Sequence, residues 1–229
     1  MRLDVFVMPL WKFKVGDFTS PIESALGIRP KFASPEGISE QPTSVSWWAR
    51  WRAKREVATI RKSVSKMNRS DLRWNDEGRM VFSCQWPDFT SIRAYASWLD
   101  CRDRLPGFTP PPENDYSKHE AFQQEIARPT CPQLVQHGLY NGYFLPCDFE
   151  VMGDVEPYKI MGQWPASHPV GSTARLLVEL DFVQEHLQVS DDYEYDEDDA
   201  LRSVKEDYIQ LRKAAELSIH YGLPIIFWG

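Results

Sequence analysis

The chain contains no run of about 18 apolar residues, the length a helix needs to cross a bilayer, so no membrane span is expected. It has only four cysteines, Cys84, Cys101, Cys131 and Cys147, which is too few for a disulfide scaffold in 229 residues. Reduced thiols and a cytoplasmic location are the expectation. No P-loop, no Gly-x-Gly-x-x-Gly and no Gly-x-Ser-x-Gly occurs, which removes phosphate-cradling loops and the nucleophile elbow. The paired Cys and His spacings of zinc sites are missing too, so neither metal nor cofactor is expected. The opening stretch MRLDVFVMPLWKFKVGDF is broken by Asp4 and Pro9 and lacks a small-residue cleavage site. It reads as a first strand and not as a signal peptide.

What is present is ordinary in bulk and unusual in detail. The chain is 42% hydrophobic and 26% charged, the balance of a globular protein with a core. Nine tryptophans, nine tyrosines and twelve phenylalanines supply large buried areas for that core.

Alternation over residues 3–8 predicts a strand, and 78–86 a second. Four prolines over 16–42 mark an irregular segment. A helix is predicted from Pro42–Ser44 to about Lys66, and another over 88–105 with Thr90 or Ser91 as cap. A proline-rich connection covers 105–117, and a short helix spans 118–127. Asn141-Gly142 is a turn signal, which suggests a hairpin with its loop at Leu139–Gly142. Leu176, Leu177, Leu180 and Val183 recur at helical spacing over 170–187, with Ser172 at the N-cap position. A last helix covers about 197–221, with Gly222 at its C′ position and Pro224 beyond. The final PIIFW is a buried strand candidate. Short strands interleaved with about five helices predict one α+β domain over 1–229, with α/β as the alternative.

Charge is unevenly placed. From Arg50 to Arg73 there are nine Lys or Arg and two acids, while the whole chain carries −7. From Asp181 to Asp199 there are nine acids and no Lys or Arg, with an acidic loop at about 190–199. In the basic helix, Trp47, Trp48 and Trp51 interleave with Arg50, Arg52 and Lys54. One reading turns these tryptophans, with Val57, Ile60 and Val64, toward the core while the arginines snorkel. A second makes Trp48, Arg50, Trp51 and Lys54 a partner-protein surface, and a third a nucleic-acid surface; a pI near 5.3 weighs against nucleic acid. The run SDDYEYDEDDA fails the calcium-loop pattern, because a loop started at Asp192 has Glu197 where glycine is required and Ser203 where glutamate is required. Asp191, Asp192, Glu194 and Asp196 are instead candidates for binding a basic protein.

Cys131, His137, Cys147 and Asp148 lie within 18 residues, so His137, Cys147 and Asp148 are candidates for a thiol–imidazole site. The alternative makes Cys147 a small buried hydrophobe and His137 a turn or core residue.

Two blocks carry a resemblance. The first is His137, Asn141, Gly142, Tyr143, Pro146, Asp148 and Phe149; the second is Gly171, Ser172, Thr173, Leu176, Leu177, Glu179 and Leu180. Together they resemble a loose set of bacterial proteins with a His-x3-[DN]-Gly-Tyr-x2-Pro-x-Asp-Phe block followed by a Gly-Ser-[ST]-x2-Leu-Leu-x-Glu-Leu helix. Relatives carry a more polar sequence after the histidine, where this chain has Gly138 to Asn141. The resemblance implies no particular activity; its small acidic style is similar to that of immunity proteins of toxin systems. The expectation is therefore a non-enzymatic cytoplasmic protein that binds another protein, with an immunity-type inhibitor as the particular form considered. A small-molecule enzyme around His137, Cys147 and Asp148, and nucleic-acid binding by the 47–66 helix, are the alternatives.

Overall fold

The structure is a computed structural model that describes residues 3–17, 31–34, 37–40, 45–104, 107–108, 129–137, 139–158, 166–189 and 199–229. In chain order the elements are β1 (Leu3–Val7), α1 (Leu10–Lys14), β2 (Lys31–Ser34), β3 (Gly37–Glu40), α2 (Trp47–Asn68), β4 (Phe82–Trp86) and α3 (Thr90–Cys101). They continue with α4 (Pro132–Gln136), β5 (Asn141–Leu145), β6 (Gly153–Tyr158), β7 (Ala166–Ser172), α5 (Thr173–Leu187), α6 (Arg202–Tyr221) and β8 (Ile225–Trp228).

Six strands form one sheet in the order β4-β1-β8-β5-β7-β6. Of its five pairings only β5 with β7 is parallel. This is an α+β fold, as the pattern of short strands and helices predicts. A separate antiparallel pair, β2 with β3, lies within the segment read from sequence as irregular.

Strand alternation explains the layers. Leu3, Val5 and Val7 of β1, Phe144 of β5, and Ile225 and Phe227 of β8 face one way. They pack against α3, α4, α5 and α6 through residues such as Ile92, Leu134, Leu180 and Leu211. Tyr143 and Leu145 of β5 and Ile226 of β8 face the other way, against α1 and α2. Side chains that alternate across a strand, apolar on both sides, require a cover on both faces. Helix α2 supplies its part through Ala53, Val57, Ile60 and Val64, a 3–4 spaced stripe in which full burial of each larger side chain contributes about 1.5–3 kcal/mol.

Several local expectations hold. Ser172 caps α5 by accepting from the Arg175 amide, and Gly222 ends α6 in the left-handed conformation, φ 66°. Others are corrected. Helix α2 starts later than expected, with Ser46 as its cap, accepting from the Ala49 amide. Trp47, Trp48 and Trp51 do not face the core; they are 65%, 68% and 46% exposed. Neither Thr90 nor Ser91 caps α3. Asp88 accepts from the Thr90 amide, and Asp207 reaches over from α6 to the Ile92 amide. Asn141-Gly142 does not turn a hairpin. It opens β5, whose neighbours β7 and β8 come later in the chain, and the reversal from α4 is made by residues before it, with Leu139 at φ 49°. The helix expected over 118–127 lies outside the described residues.

Gly142 has a reason other than a hairpin. Its φ is +107°, and a Cβ there would stand 2.3 Å from the Pro169 carbonyl oxygen on β7. Backbone occupies that space, so no side-chain movement relieves the contact. Gly142→Ala should therefore cost about 2–4 kcal/mol through positive φ and displaced backbone, read as a lower urea midpoint at unchanged slope.

Candidate functional site

The three residues considered for catalysis are not brought together. His137 is buried on the α3–α6 side of the sheet, stacked on Phe144 with ring centroids 4.0 Å apart. Its Nε2–H donates to the Tyr143 carbonyl at 3.1 Å. Burial drives its pKa down to about 4, so it stays neutral and does not present a base to solvent. Cys147 packs against the opposite core, and its thiol donates to the Arg73 carbonyl. Burial pushes that thiol up, away from the thiolate a nucleophile needs. Asp148 is exposed and paired with Arg175 at 2.6 Å. It borders an open depression of about 550 Å³ that also contains Arg69, Glu150 and Arg175. Arg175 there is shared between Asp148 and Glu150. Among the described residues no group of three or more His, Cys, Asp or Glu is placed to hold a metal ion.

Two buried carboxylates were missed in the sequence. Glu179 of α5 accepts from the Gln133 and Leu134 amides, both at 2.8 Å, and so caps α4 from outside. Asp207 of α6 accepts from Trp86 Nε1 at 2.7 Å and from the Ile92 amide at 3.2 Å, and so caps α3. The signal was available: each is an acid on an apolar helix stripe, Glu179 between Leu176 and Leu180, Asp207 between Val204 and Leu211. A carboxylate there must find donors. Burial outweighs those hydrogen bonds and raises Glu179 to about 8 and Asp207 to about 7. Both therefore work for the scaffold.

The exposed chemistry lies on two surfaces. On α2, Trp47, Trp48 and Trp51 form an exposed edge-to-face cluster, with centroids 4.8 and 5.9 Å apart. The Arg55 guanidinium lies 5.5 Å from the Trp51 ring. Lys54 pairs with Glu77, and Arg52 with Glu56. Arg50, Arg55, Lys62, Lys66 and Arg69 have no ion pair among the described residues.

The second charged stretch of the sequence is acidic. Asp191, Asp192, Glu194 and Asp196 lie outside the described residues, but the helices that flank their run are α5 and α6. Asp199, just after it, accepts from the Leu201 amide and pairs with Lys205. The segments outside the described residues carry twelve of the 33 Asp and Glu and five of the 26 Lys and Arg. The described body therefore balances at 21 of each sign, and the whole −7 belongs to those segments, six of its acids to residues 190–198.

A family model described as "Putative DNA-mimic protein" matches residues 1–227. The chain belongs to that family. No curated protein and no solved structure matches it. The match corrects the functional expectation: the immunity-type inhibitor gives way to a DNA-mimic family. A protein partner is what membership retains from the original reading. Among the described residues no helix is long and apolar enough to cross a membrane.

The buried groups give a pH signature. Folded Glu179 and Asp207 keep protons that the unfolded chain has lost, so their contribution is full below about pH 4 and disappears as pH rises through about 7 and 8. His137 runs the other way: its contribution is present above its ordinary pKa of 6.5 and is lost as pH falls toward about 4. Glu179→Gln keeps one acceptor and has no proton to lose. Relative to the parent it should gain up to ~1.4 kcal/mol per pH unit between about pH 5 and 8 in urea unfolding. Parallel stability curves for the two proteins would show that Glu179 ionises normally.

Proposed function

We propose that this protein works as a DNA mimic, offering carboxylates to a DNA-binding protein where that protein expects phosphates. The observation that carries this reading is the family match over residues 1–227, together with the acidic run. Residues 191–199 contain seven Asp or Glu. Nine residues span at most ~30 Å even when fully extended, so these carboxylates are no sparser than one per ~4 Å. A single DNA strand carries one phosphate per ~3.4 Å. A tract of this density meets a phosphate-reading groove with comparable charge, and carboxylate oxygens accept from Arg and Lys as phosphate oxygens do.

The rest of the chain suits the role. A charge-balanced body leaves the acidic tract as the dominant source of field, which steers a basic partner toward that end. Exposed Asp181 and Glu216 extend the acidic character along α5 and α6, although Arg212 engages both. The partner class is a protein with a basic DNA-binding groove, in the same compartment as this chain.

Immobilised protein should retain such a partner from host lysate at about 50 mM salt and release it to a short DNA duplex or to about 0.5 M salt. The quadruple variant Asp191→Asn, Asp192→Asn, Glu194→Gln, Asp196→Asn should lower retention about tenfold or more. A retained partner that DNA does not displace would refute mimicry.

A further inference from the structure

The tryptophan-headed face of α2 has no counterpart in DNA mimicry, because it is basic. It is a surface nonetheless. Three tryptophans, 65%, 68% and 46% exposed, sit at the start of a 22-residue helix that is ~33 Å long. Arg50, Arg55, Lys62 and Lys66 line the exposed side behind them, with no ion pair among the described residues. Glu56 is the one acid of that helix, and it is committed to Lys14 and Arg52. Exposed aromatic clusters flanked by unmatched charge mark contact surfaces, and the charge here selects an anionic occupant.

We infer that the occupant is the acidic run of a second copy of this chain, so that the basic face of α2 in one molecule docks the 190–199 tract of the next. The complement is written in the same sequence: SDDYEYDEDD carries seven carboxylates and two tyrosines, against unpaired cations and three exposed tryptophans. Tyrosine and tryptophan pair well at interface centres, and the charges fix orientation.

Geometry favours a neighbour over the molecule's own tract. The tract joins Val189, buried at the end of α5, to Asp199, pinned before α6. Ten residues tethered at both ends reach at most ~17 Å out and back. Helices α5 and α6 lie across the sheet from α2, and two layer spacings of ~10 Å each separate them before any lateral offset. The edge-to-face tryptophans also argue against single-stranded nucleic acid, since ring planes at 73° and 83° to one another give no parallel platform for successive bases. The anchors of the tract, Val189 and Asp199, belong to α5 and α6, across the sheet from α2, so the inferred contact joins different surfaces of the two molecules. The association is head-to-tail and grows with concentration instead of closing as a two-fold dimer.

The inference uses the acidic tract but does not depend on mimicry, and its test needs no DNA-binding partner. Sedimentation of the full chain at about 50 mM salt should show the weight-average mass rising about twofold or more between roughly 5 and 100 µM, and returning to monomer at about 0.5 M salt. The double variant Trp48→Ala, Arg55→Glu changes only exposed side chains and should be monomeric. So should the tract variant Asp191→Asn, Asp192→Asn, Glu194→Gln, Asp196→Asn. Mixed together the two variants should form a 1:1 dimer and stop there, because the mixture retains one intact patch of each kind. A monomer at every salt and concentration overturns the inference. So does association that the variants leave intact. Flotation of a monomer with phosphatidylserine-containing vesicles, lost in the Trp48/Arg55 variant, would assign the surface to anionic lipid and overturn it equally.

Discussion

Everything in this fold depends on strands that are apolar on both faces. β5 and β8 occupy the centre of the sheet, and successive residues of each enter different cores: Phe144 one way and Leu145 the other, Ile225 and Phe227 one way and Ile226 the other. A sheet with one wet face could dispense with half of the helices. This one cannot, since exposing Tyr143, Leu145 and Ile226 would return large apolar area to water. The requirement puts α2 on one side and α5 and α6 on the other. The separation of the basic helix from the helices that carry the acidic tract follows from hydrophobic burial, and no attraction between the charged regions is needed to arrange it.

The same burial demand explains the two internal carboxylates. Helices α3 and α4 begin against α6 and α5, where water does not reach their first amides. Helix N-termini present unsatisfied N–H groups, and a buried one needs an acceptor. For α4, Pro132 removes one donor at the first turn, and Glu179 takes the Gln133 and Leu134 amides. For α3, Asp207 takes the Ile92 amide and also holds Trp86 on β4. Each carboxylate therefore ties two elements distant in sequence, over separations of 45 and 115 residues. Removing either acid would strand donors as well as delete bonds, which makes the loss larger than a net hydrogen bond of ~1 kcal/mol.

The sequence showed whatever is decided by neighbours along the chain. Ser172 and Gly222 mark helix ends because caps and left-handed stops act over three or four residues. Strand 3–7 and the closing strand are legible from composition and alternation. What failed depended on distant partners. The acceptor for the Ile92 amide of α3 is 115 residues away, and Asn141-Gly142 opens a strand because Pro169 approaches Gly142 from β7. The tryptophans are a different failure, and the pattern already contained the answer. At about 100° per residue, Trp47, Trp48 and Trp51 stand ~120–160° from Ala53, opposite the stripe that Val57, Ile60 and Val64 continue. Grouping them with the core followed residue type in place of helical angle. Of the functional surfaces, the charge asymmetry was readable from the sequence, because it needs only counting. The separation of His137 from Cys147 was not, since ten residues and one strand reversal of side put them in different cores.

The charge distribution links these points to function. If the described body had carried the net −7 evenly, a basic partner would meet no preferred approach, and salt would screen a diffuse field at the Debye length of ~8 Å. Instead the body balances and the excess belongs to short segments, most of it to one tract joining α5 to α6. Under the proposed mimicry, a concentrated tract would compete with DNA at close range, where partly desolvated charges are least screened. The same concentration makes it attractive to any basic surface, including α2 of another copy. If both proposals hold, docking to a neighbour and mimicking DNA draw on the same carboxylates, so each occupancy excludes the other. A head-to-tail chain of molecules would hold its tracts in reserve, and a DNA-binding groove with the higher affinity would draw them out one molecule at a time, from the end whose tract is uncovered.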